Sequence, residues 1–189
     1  MLGECSGILL RMVESKDLTG RTAVVITASD RSAAGTRPDL SGPAVCRLLQ
    51  NAGADVVATQ IVPDDRDALE LALRQAAAQA HLVVTTGGTG LAPRDVTPEA
   101  TLAVCDRLVP GLAELIRSEG AKQTRFAALS RGVCGVLGRS LVLNLPGSPA
   151  GAENALRTVL PLLPHALDLI SGRTDHDPPA TQGASDTRS

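Results

Sequence analysis

Residues 82–100 read LVVTTGGTGLAPRDVTPEA, and this stretch decides the fold. It opens with an apolar run, turns through three glycines, and ends in Thr97-Pro98-Glu99. That ending is typical of a helix start, with a threonine cap, a proline in the first turn and an acid near the positive end of the helix dipole. A Val/Leu run that leads through a short turn into a helix predicts a buried strand of a parallel sheet.

The same alternation of strand-like and helical patterns extends in both directions along the chain. Strand-like apolar runs occur at 22–28, 55–62, 81–86 and 140–146. Helical patterns lie between or beside them at 41–51, 65–79, 98–108 and 111–119, and a last one follows residue 146. Gly138-Arg139 separates two apolar runs and predicts a hairpin. We therefore expect an α/β fold of three layers (α/β/α), with a mostly parallel sheet and one antiparallel edge hairpin.

Composition predicts one domain between two tails. The chain has 189 residues, of which 43% are hydrophobic, enough for a single core. We place the domain at residues 21–171. Residues 1–20 show weak periodicity and are expected to form a flexible extension. Residues 172–189 are polar and rich in Pro, Ser and Thr, so we expect a disordered tail.

Charge, cysteine spacing and hydropathy exclude several classes. The formal net charge is -2 and no dense Lys/Arg run occurs, so nucleic acid is not an expected partner. The four cysteines form no Cys-x-x-Cys pair and the chain has three histidines, so neither a zinc site nor a thioredoxin-like site is predicted. No apolar run reaches the roughly 18 residues of a membrane span. We expect a cytoplasmic protein with reduced thiols.

The glycine turn at 87–90 suits an anion. Backbone without Cβ atoms can approach a ligand closely, and the N–H groups of the turn and of the following helix favour phosphate. The spacing is neither that of a P-loop nor that of a dinucleotide fold. An ordinary β-to-α turn explains the glycines but not Arg94 and Asp95 beside them, which favours a ligand site. Asp95 is compatible with two roles, holding Mg2+ on a polyphosphate or bonding the amides of its own turn.

Other loops after predicted strands carry further polar groups, each with a plainer explanation. Residues 28–43 read ASDRSAAGTRPDLSGP, in which Asp39 and Ser41 are equally candidates for helix caps. Asp64 and Asp65 open the helical pattern at 65–79, where acids favour the helix dipole. Ser148 precedes a proline and is also a candidate cap.

Taken in order, five motifs resemble the molybdopterin adenylyltransferase family, which comprises MogA- and MoaB-like proteins and the G domains of gephyrin-type proteins. They are SDRSAAGTRPDLSGP, VPDD, TTGGTGLAPRDVTPEA, ALSRG and LNLPGSP, and together they span about residues 22–170. The resemblance implies transfer of AMP from Mg-ATP to the terminal phosphate of molybdopterin, with release of pyrophosphate. It also implies that Asp64 and Asp95 are the catalytic carboxylates and the Mg2+ ligands.

The resemblance implies a set of substrate-binding residues around these two acids. They are Asp30, Arg31, Gly35, Thr86, Gly87, Gly88, Thr89, Gly90, Arg94, Glu99, Ser130, Asn144, Pro146, Gly147 and Ser148. ATP is then a co-substrate, Mg2+ the required ion, and no tightly bound organic cofactor is expected. A homotrimer is implied, with transient contacts to molybdopterin synthase or a molybdenum insertase. Pterins destined for molybdenum and for tungsten both remain compatible.

Two other functions stay open. A pterin-binding or scaffolding module without catalysis would keep the same fold and pocket, although the presence of both Asp64 and Asp95 argues against it. A molybdenum insertase domain is less favoured, because its glycine motif lacks the Arg-Asp-Val-Thr-Pro-Glu-Ala ending. For the transferase, a phosphate nucleophile is already ionised near neutral pH, so no catalytic histidine is expected.

Overall fold

The computed structural model describes residues 17–173. The predictions for residues 1–16 and 174–189 lie outside the described residues. The packed domain extends upstream of residue 21, because Leu18 is buried and its N–H donates to the Ala52 carbonyl at 2.7 Å. No helix between residues 17 and 173 has both the length and the apolar character that a membrane crossing needs.

One six-stranded sheet forms the middle layer. Its strands are β1 (Thr22–Ala28), β2 (Asp55–Val62), β3 (Leu82–Thr86), β4 (Arg107–Leu108), β5 (Cys134–Leu137) and β6 (Ser140–Leu145). Their spatial order is β2-β1-β3-β6-β5-β4. The first four in this order are parallel, whereas β5 runs antiparallel to β6 and β4 antiparallel to β5. The predicted fold class and the hairpin at Gly138 are confirmed.

Helices cover both faces of the sheet. They are α1 (Asp30–Ala33), α2 (Ser41–Asn51), α3 (Arg66–Ala77), α4 (Thr97–Val104), α5 (Pro110–Ala121), α6 (Pro149–Val159) and α7 (Leu163–Ile170), with 3-10 turns at Arg125–Leu129 and Leu160–Leu162. Neighbouring strand residues such as Val24 and Val25 point to opposite faces and belong to separate cores. Helices α2, α5, α6 and α7 pack on one core, and α3 and α4 on the other.

The predicted helix over 98–108 is wrong in its second half. Helix α4 ends at Val104, and Cys105 is already extended with ψ 137°. Arg107 and Leu108 then pair with β5 as the edge strand β4. The N–H of Asp106 donates to the Val136 carbonyl at 2.8 Å, and the Asp106 carboxylate accepts the Gly138 N–H at 2.7 Å. Pairing with the hairpin thus satisfies backbone groups that another helical turn would otherwise have used.

The predicted cap at Thr97 is also displaced. Val96 occupies the cap position, and Thr97 is the first residue of α4. The Thr97 hydroxyl instead donates to the Gly87 carbonyl at 3.0 Å, while its N–H donates to the Gly88 carbonyl at 3.1 Å. The side chain therefore ties the glycine turn to the helix rather than capping the helix.

Candidate functional site

The loops after β1, β2, β3 and β6 meet at the carboxyl edge of the parallel strands, where two cavities lie side by side. The first, here called the acidic cavity, has a volume of about 480 Å³ and is lined in part by Arg31, Arg37, Asp30, Asp39 and Asp64. The second, here called the apolar cavity, has a volume of about 460 Å³ and is lined in part by Ile116, Arg117, Gln123, Phe126, Leu129 and Asn154.

The two cavities share one wall. Gly88, Asp95, Gly147 and Ser148 line both of them. The wall therefore joins the glycine turn after β3 to the start of α6 after β6. Ser148 caps α6, because its Oγ accepts the Gly151 N–H at 3.3 Å, which confirms the cap considered from the sequence. Any two ligands that fill both cavities will meet at this wall.

The protein itself requires glycine at positions 87 and 88. Both residues have positive φ, 91° at Gly87 and 62° at Gly88. A Cβ at Gly87 would lie 2.3 Å from the Ala28 carbonyl oxygen, and one at Gly88 would lie 2.3 Å from the Thr97 hydroxyl. The turn is thus packed directly against β1 and α4. These two glycines are explained without a ligand, so it is the charged groups around them that indicate a site.

Asp64 is linked to Asp30 and is not a helix cap. The Asp30 N–H donates to Oδ2 of Asp64 at 2.9 Å, and the Asp64 N–H donates to Oδ1 of Asp30 at 3.0 Å. Asp65 takes the cap position of α3, because its carboxylate accepts the Ala68 N–H at 2.9 Å. The plain explanation from the sequence therefore holds for Asp65 and fails for Asp64.

Arg94 approaches the same pair of acids. Its Nε and Nη2 donate to both oxygens of Asp30, at 2.9 and 2.7 Å. This hydrogen bonding lowers the pKa of Asp30. The pKa of Asp64 is raised instead, first by burial and then by the negative charges of Asp30 and Asp95. Burial and neighbouring negative charges disfavour the ionised form of this carboxyl group. An acid in such a cleft is a functional candidate, because a bound cation would stabilise its negative charge.

Asp95 bonds the backbone of its own turn. Its Oδ2 accepts the Ala92 N–H at 2.8 Å, and its own N–H donates to the Ala92 carbonyl at 2.9 Å. The backbone role considered from the sequence is therefore present. Within residues 17–173 no donor bonds to Oδ1 of either Asp95 or Asp64. Each acid thus has one carboxylate oxygen fixed by backbone and one without a hydrogen-bond donor from the described chain.

Asp39 anchors the loop over the acidic cavity. Its Oδ1 accepts the Gly42 N–H at 3.0 Å and its Oδ2 accepts the Thr27 hydroxyl at 2.7 Å. Ser41 is buried and its Oγ lies 2.8 Å from the Thr86 hydroxyl. Leu40 occupies the cap position of α2, so the cap predicted at Asp39 or Ser41 is wrong, but Asp39 accepts a first-turn N–H of α2 from one position earlier and ties the loop to the end of β1.

Arg131 is a residue that the sequence analysis left unassigned. Its Nε donates to the Gly90 carbonyl at 2.7 Å, and its two Nη atoms donate to Oε1 of Glu99 and to the Asp95 carbonyl. Its backbone N–H donates to the Thr89 carbonyl at 2.9 Å. A signal was present in the sequence, because the antiparallel hairpin brings the residues before β5 to the same edge as the glycine turn.

Glu99 faces Arg131 and lies outside both cavities. The hydrogen bond from Arg131 lowers the pKa of Glu99, so the carboxylate stays charged. Its Oε2 is enclosed and finds no hydrogen-bond partner among residues 17–173. Its observed contact is with the protein, and the substrate role of Glu99 stays a prediction.

Asn144 also lies outside both cavities, in the layer beneath them. It is buried, its Nδ2 donates to the Thr85 and Thr101 hydroxyls at 3.0 and 2.9 Å, and its Oδ1 accepts the Val133 N–H at 3.2 Å. Its side chain therefore cross-links β6, β3, α4 and the start of β5. This internal bonding leaves no amide hydrogen of Asn144 for a substrate.

The remaining predicted residues divide between the two cavities and their surroundings. Arg31, Thr86 and Gly87 line the acidic cavity, whereas Thr89, Gly90, Ser130 and Pro146 line the apolar cavity. Gly35 lies in an exposed loop with φ 69°, and neither cavity touches it. The sequence analysis missed Arg37 and the lining that the segment at 123–129 supplies to the apolar cavity.

The cysteines and histidines between residues 17 and 173 line neither cavity. Cys46, Cys105 and Cys134 are unpaired, and burial raises the pKa of the Cys134 thiol to about 12. Between residues 17 and 173, no three His, Cys, Asp or Glu side chains come together as a metal cage. A metal ion at this site therefore needs ligand atoms from a bound substrate in addition to those of the protein.

Comparison with known proteins gives the family. Residues 24–165 match a family model described as a probable molybdopterin binding domain. The chain belongs to this family. A molybdopterin adenylyltransferase of Helicobacter pylori is 43% identical over 152 residues, which cover 78% of this chain and 86% of the relative. The cinnamon protein of Drosophila melanogaster, a molybdenum cofactor synthesis protein, is 44% identical, and the match covers 77% of this chain but 25% of that longer protein.

Solved structures of the family have the same fold. The molybdopterin biosynthesis enzyme MoaB of Thermus thermophilus is 49% identical with a TM-score of 0.76, over 80% of this chain and 97% of the other. The tungsten cofactor synthesizing protein MoaB of Pyrococcus furiosus is 33% identical with a TM-score of 0.74, over 79% and 96%. These likenesses confirm the fold and the family that the five motifs indicated.

Proposed function

We propose that this chain is a molybdopterin adenylyltransferase of molybdenum cofactor biosynthesis, transferring AMP from Mg-ATP to the terminal phosphate of molybdopterin with release of pyrophosphate. The observation that carries the proposal is the pair of cavities, similar in volume, that share the wall of Gly88, Asp95, Gly147 and Ser148. A reaction between two phosphorylated molecules needs two adjoining pockets that bring their phosphates together.

The lining of each cavity suits one partner. The triphosphate and its cation belong in the acidic cavity, where Arg31 and Arg37 supply positive charge and Asp64 supplies a carboxylate. The pterin belongs in the apolar cavity, where Phe126 and Leu129 offer flat and aliphatic surface and Gln123 and Asn154 offer amides. In this arrangement the α-phosphorus of ATP and the terminal phosphate of molybdopterin lie on either side of Gly88.

The acids fit Mg2+ bound to a polyphosphate. This ion usually takes one or two protein carboxylates and completes its shell with phosphate oxygens and water. Asp64 and Asp95 line the same cavity, and each carries one carboxylate oxygen that accepts no hydrogen bond from the described part of the chain. When bound, Mg2+ would neutralise charge on the phosphate oxygens. Asp30 is a weaker candidate, because Arg94 occupies both of its oxygens.

The residues of the chain orient the substrates and stabilise negative charge, and they do not transfer protons. The nucleophile is a phosphate oxygen that is already ionised at neutral pH, so no side chain has to act as a general base. The N-terminus of α6 lies at the shared wall, and the positive end of a helix dipole favours phosphate there, although the N–H of Gly151 is already bonded to the Ser148 Oγ and that of Gly87 to the Leu145 carbonyl. Arg31 and Arg37 line the acidic cavity and offset the negative charge that the two substrates bring together, whereas Arg94 lies outside both cavities and is bonded to Asp30. Catalysis then depends on positioning and electrostatics.

The proposal is tested by incubating the purified full-length chain with ATP, Mg2+ and molybdopterin. We expect equal amounts of adenylated molybdopterin and pyrophosphate, with neither product when the pterin or Mg2+ is omitted. Tight pterin binding without pyrophosphate release would favour the non-catalytic binding or scaffolding module. Release of pyrophosphate from ATP and water, without the pterin, would contradict the transferase.

We further propose that the protein works in the cytoplasm as a homotrimer. The family resemblance supports the trimer, and light scattering on the purified protein would give three times the chain mass if it is correct. Transient contacts with molybdopterin synthase would deliver the substrate, and transient contacts with a molybdenum insertase would accept the product. Cross-linking each of these proteins to the chain, with and without molybdopterin, would test those contacts.

A further inference from the structure

We propose that Arg131 is a positioning residue that sets the location of Asp95, acting with Glu99 as its counter-charge and without touching a substrate. The activity measurement below rests on the proposed function, whereas the structural part of this inference does not. The side chain of Arg131 has three acceptors, and two of them are the carbonyls of Gly90 and Asp95. Those carbonyls lie at the two ends of the segment 90–95.

The segment between these two carbonyls has little other support. Leu91, Ala92, Pro93 and Arg94 are exposed, and the hydrogen bonds between Ala92 and Asp95 are internal to the turn. Within residues 17–173, the side-chain hydrogen bonds from residues 91–94 to a neighbouring loop are those of Arg94 with Asp30, and this ion pair is itself largely exposed. Exposed pairs of this kind contribute little to stability. Arg131 is therefore the principal connection from this segment to the hairpin side of the sheet.

A guanidinium is the group that this position needs. Its planar fork can donate to three acceptors in fixed directions, whereas a lysine ammonium is a compact point charge on a flexible stem. Glu99 completes the arrangement, because it accepts from one Nη and leaves the other Nη and Nε directed at the two carbonyls. Arg131→Lys keeps the charge and loses the fork, so it separates geometry from electrostatics.

The consequence concerns the carboxylate of Asp95. Its Oδ2 is fixed by the Ala92 N–H within the segment, so the carboxylate moves whenever the segment moves. Asp64 is held separately, by the loop that follows β1. Arg131 thus controls how Asp95 lies relative to Asp64 and Gly88, and loss of the fork should lower kcat more than it changes the KM for ATP.

The first experiment follows hydrogen exchange of the backbone amides in the full-length chain, in wild type, Arg131→Lys and Glu99→Gln. Arg139→Lys is the matched control, because Arg139 is exposed in the hairpin far from this segment. We expect amides in 88–95 to exchange about tenfold faster or more in Arg131→Lys, with other peptides unchanged, and a smaller effect in Glu99→Gln. Exchange equal to wild type, or faster exchange spread evenly over the chain, would overturn the proposal.

The second experiment measures adenylyl transfer by the same variants. We expect kcat to fall about 10- to 100-fold in Arg131→Lys, as for removal of an outer-shell partner, while the KM for ATP changes by less than about threefold. Normal kcat despite faster local exchange would reduce Arg131 to a structural role and overturn the proposal. If wild type has no transferase activity, the proposed function fails, and the exchange data still decide whether Arg131 and Glu99 order the segment.

Discussion

Asp30 and Asp64 hold one another through two reciprocal hydrogen bonds, each backbone N–H donating to the other residue's carboxylate at 2.9 and 3.0 Å. The pair locks the loop after β1 to the loop after β2, and it places two negative groups side by side. Arg94 bonds one of them, Asp30, so the unneutralised charge falls on Asp64. The site therefore has one acid that the protein itself makes costly to ionise.

We predict that Asp64→Asn lowers adenylyl transfer by about 100-fold or more and raises thermal stability at neutral pH. The activity falls because a phosphate-bound cation loses a charged ligand. The pKa of Asp64 is raised in the folded state, so its contribution to stability is full at acid pH and is lost as the pH rises through the folded pKa. At pH 7 the ionised carboxylate costs stability, and asparagine removes that cost while still accepting the Asp30 N–H.

The neighbouring residue provides the control for this prediction. Asp65 caps α3, so Asp65→Ala should lower the free energy of unfolding by about 0.5–2 kcal/mol and leave transfer activity near wild type. Thermal melts of the two variants at pH 7 should thus shift in opposite directions. A lower melting temperature for Asp64→Asn, with activity retained, would show that Asp64 serves the fold alone.

Asp95→Asn decides between the two roles of Asp95. Asparagine keeps an oxygen that can accept the Ala92 N–H, so the turn is preserved, but it loses the negative charge. If the carboxylate binds Mg2+, transfer should fall by about 100-fold and the Mg2+ concentration at half-maximal rate should rise. If the turn is its whole role, Asp95→Asn should be active and Asp95→Ala should be impaired. Mg2+ titrations of the initial rate distinguish these results.

The fold could be predicted because its strands are continuous apolar runs. Residues 22–28 and 82–86 are buried on both faces, and such strands leave a pattern that local sequence displays directly. The end of α4 could not be predicted in this way. Residues 105–108 leave the helix because partners in β5, about 30 positions away in sequence, pair with them. Local helical preference carries no information about that competition.

Site residues could be predicted from the sequence where a motif follows the end of a predicted strand. They could not be predicted where tertiary contacts determine the position of the side chain. Asp64, Asp95 and the glycine turn follow predicted strands, and the structure places them together at one edge. Asn144 also ends a strand, but its register opposite Thr85 turns it toward the layer of α4. The predicted hairpin already implied that Arg131, just before β5, lies at the same edge as the glycine turn. The lining at 123–129 comes from a segment without periodicity, so only the three-dimensional arrangement reveals its position.

We predict that Asn144→Ala destabilises the fold by about 2–4 kcal/mol, because it leaves a partly buried N–H and two buried hydroxyls without their partner. Denaturant unfolding would measure this loss, with Asn154→Ala as a control in the apolar cavity, where the change should stay within about 0.5 kcal/mol. An Asn144→Ala variant as stable as wild type would mean that water replaces the amide at all three contacts.

His81 gives a pH dependence at the opposite edge of the sheet. Its Nδ1 accepts the Thr22 N–H at 3.1 Å, so the observed contact needs an imidazole without a proton on that nitrogen. Burial lowers the pKa of His81, and the positive charges of Arg21, Arg139 and Arg173 lower it further. The folded state therefore prefers the neutral ring. The contribution of the neutral ring to stability is full above the ordinary histidine pKa of about 6.5 and is lost as the pH falls through the pKa of the folded state.

Unfolding free energies measured from pH 8 to pH 5 should decline in wild type. The decline should be shallower in His81→Asn, whose amide oxygen can accept the same N–H without titrating, and identical slopes in the two proteins would assign it to other groups.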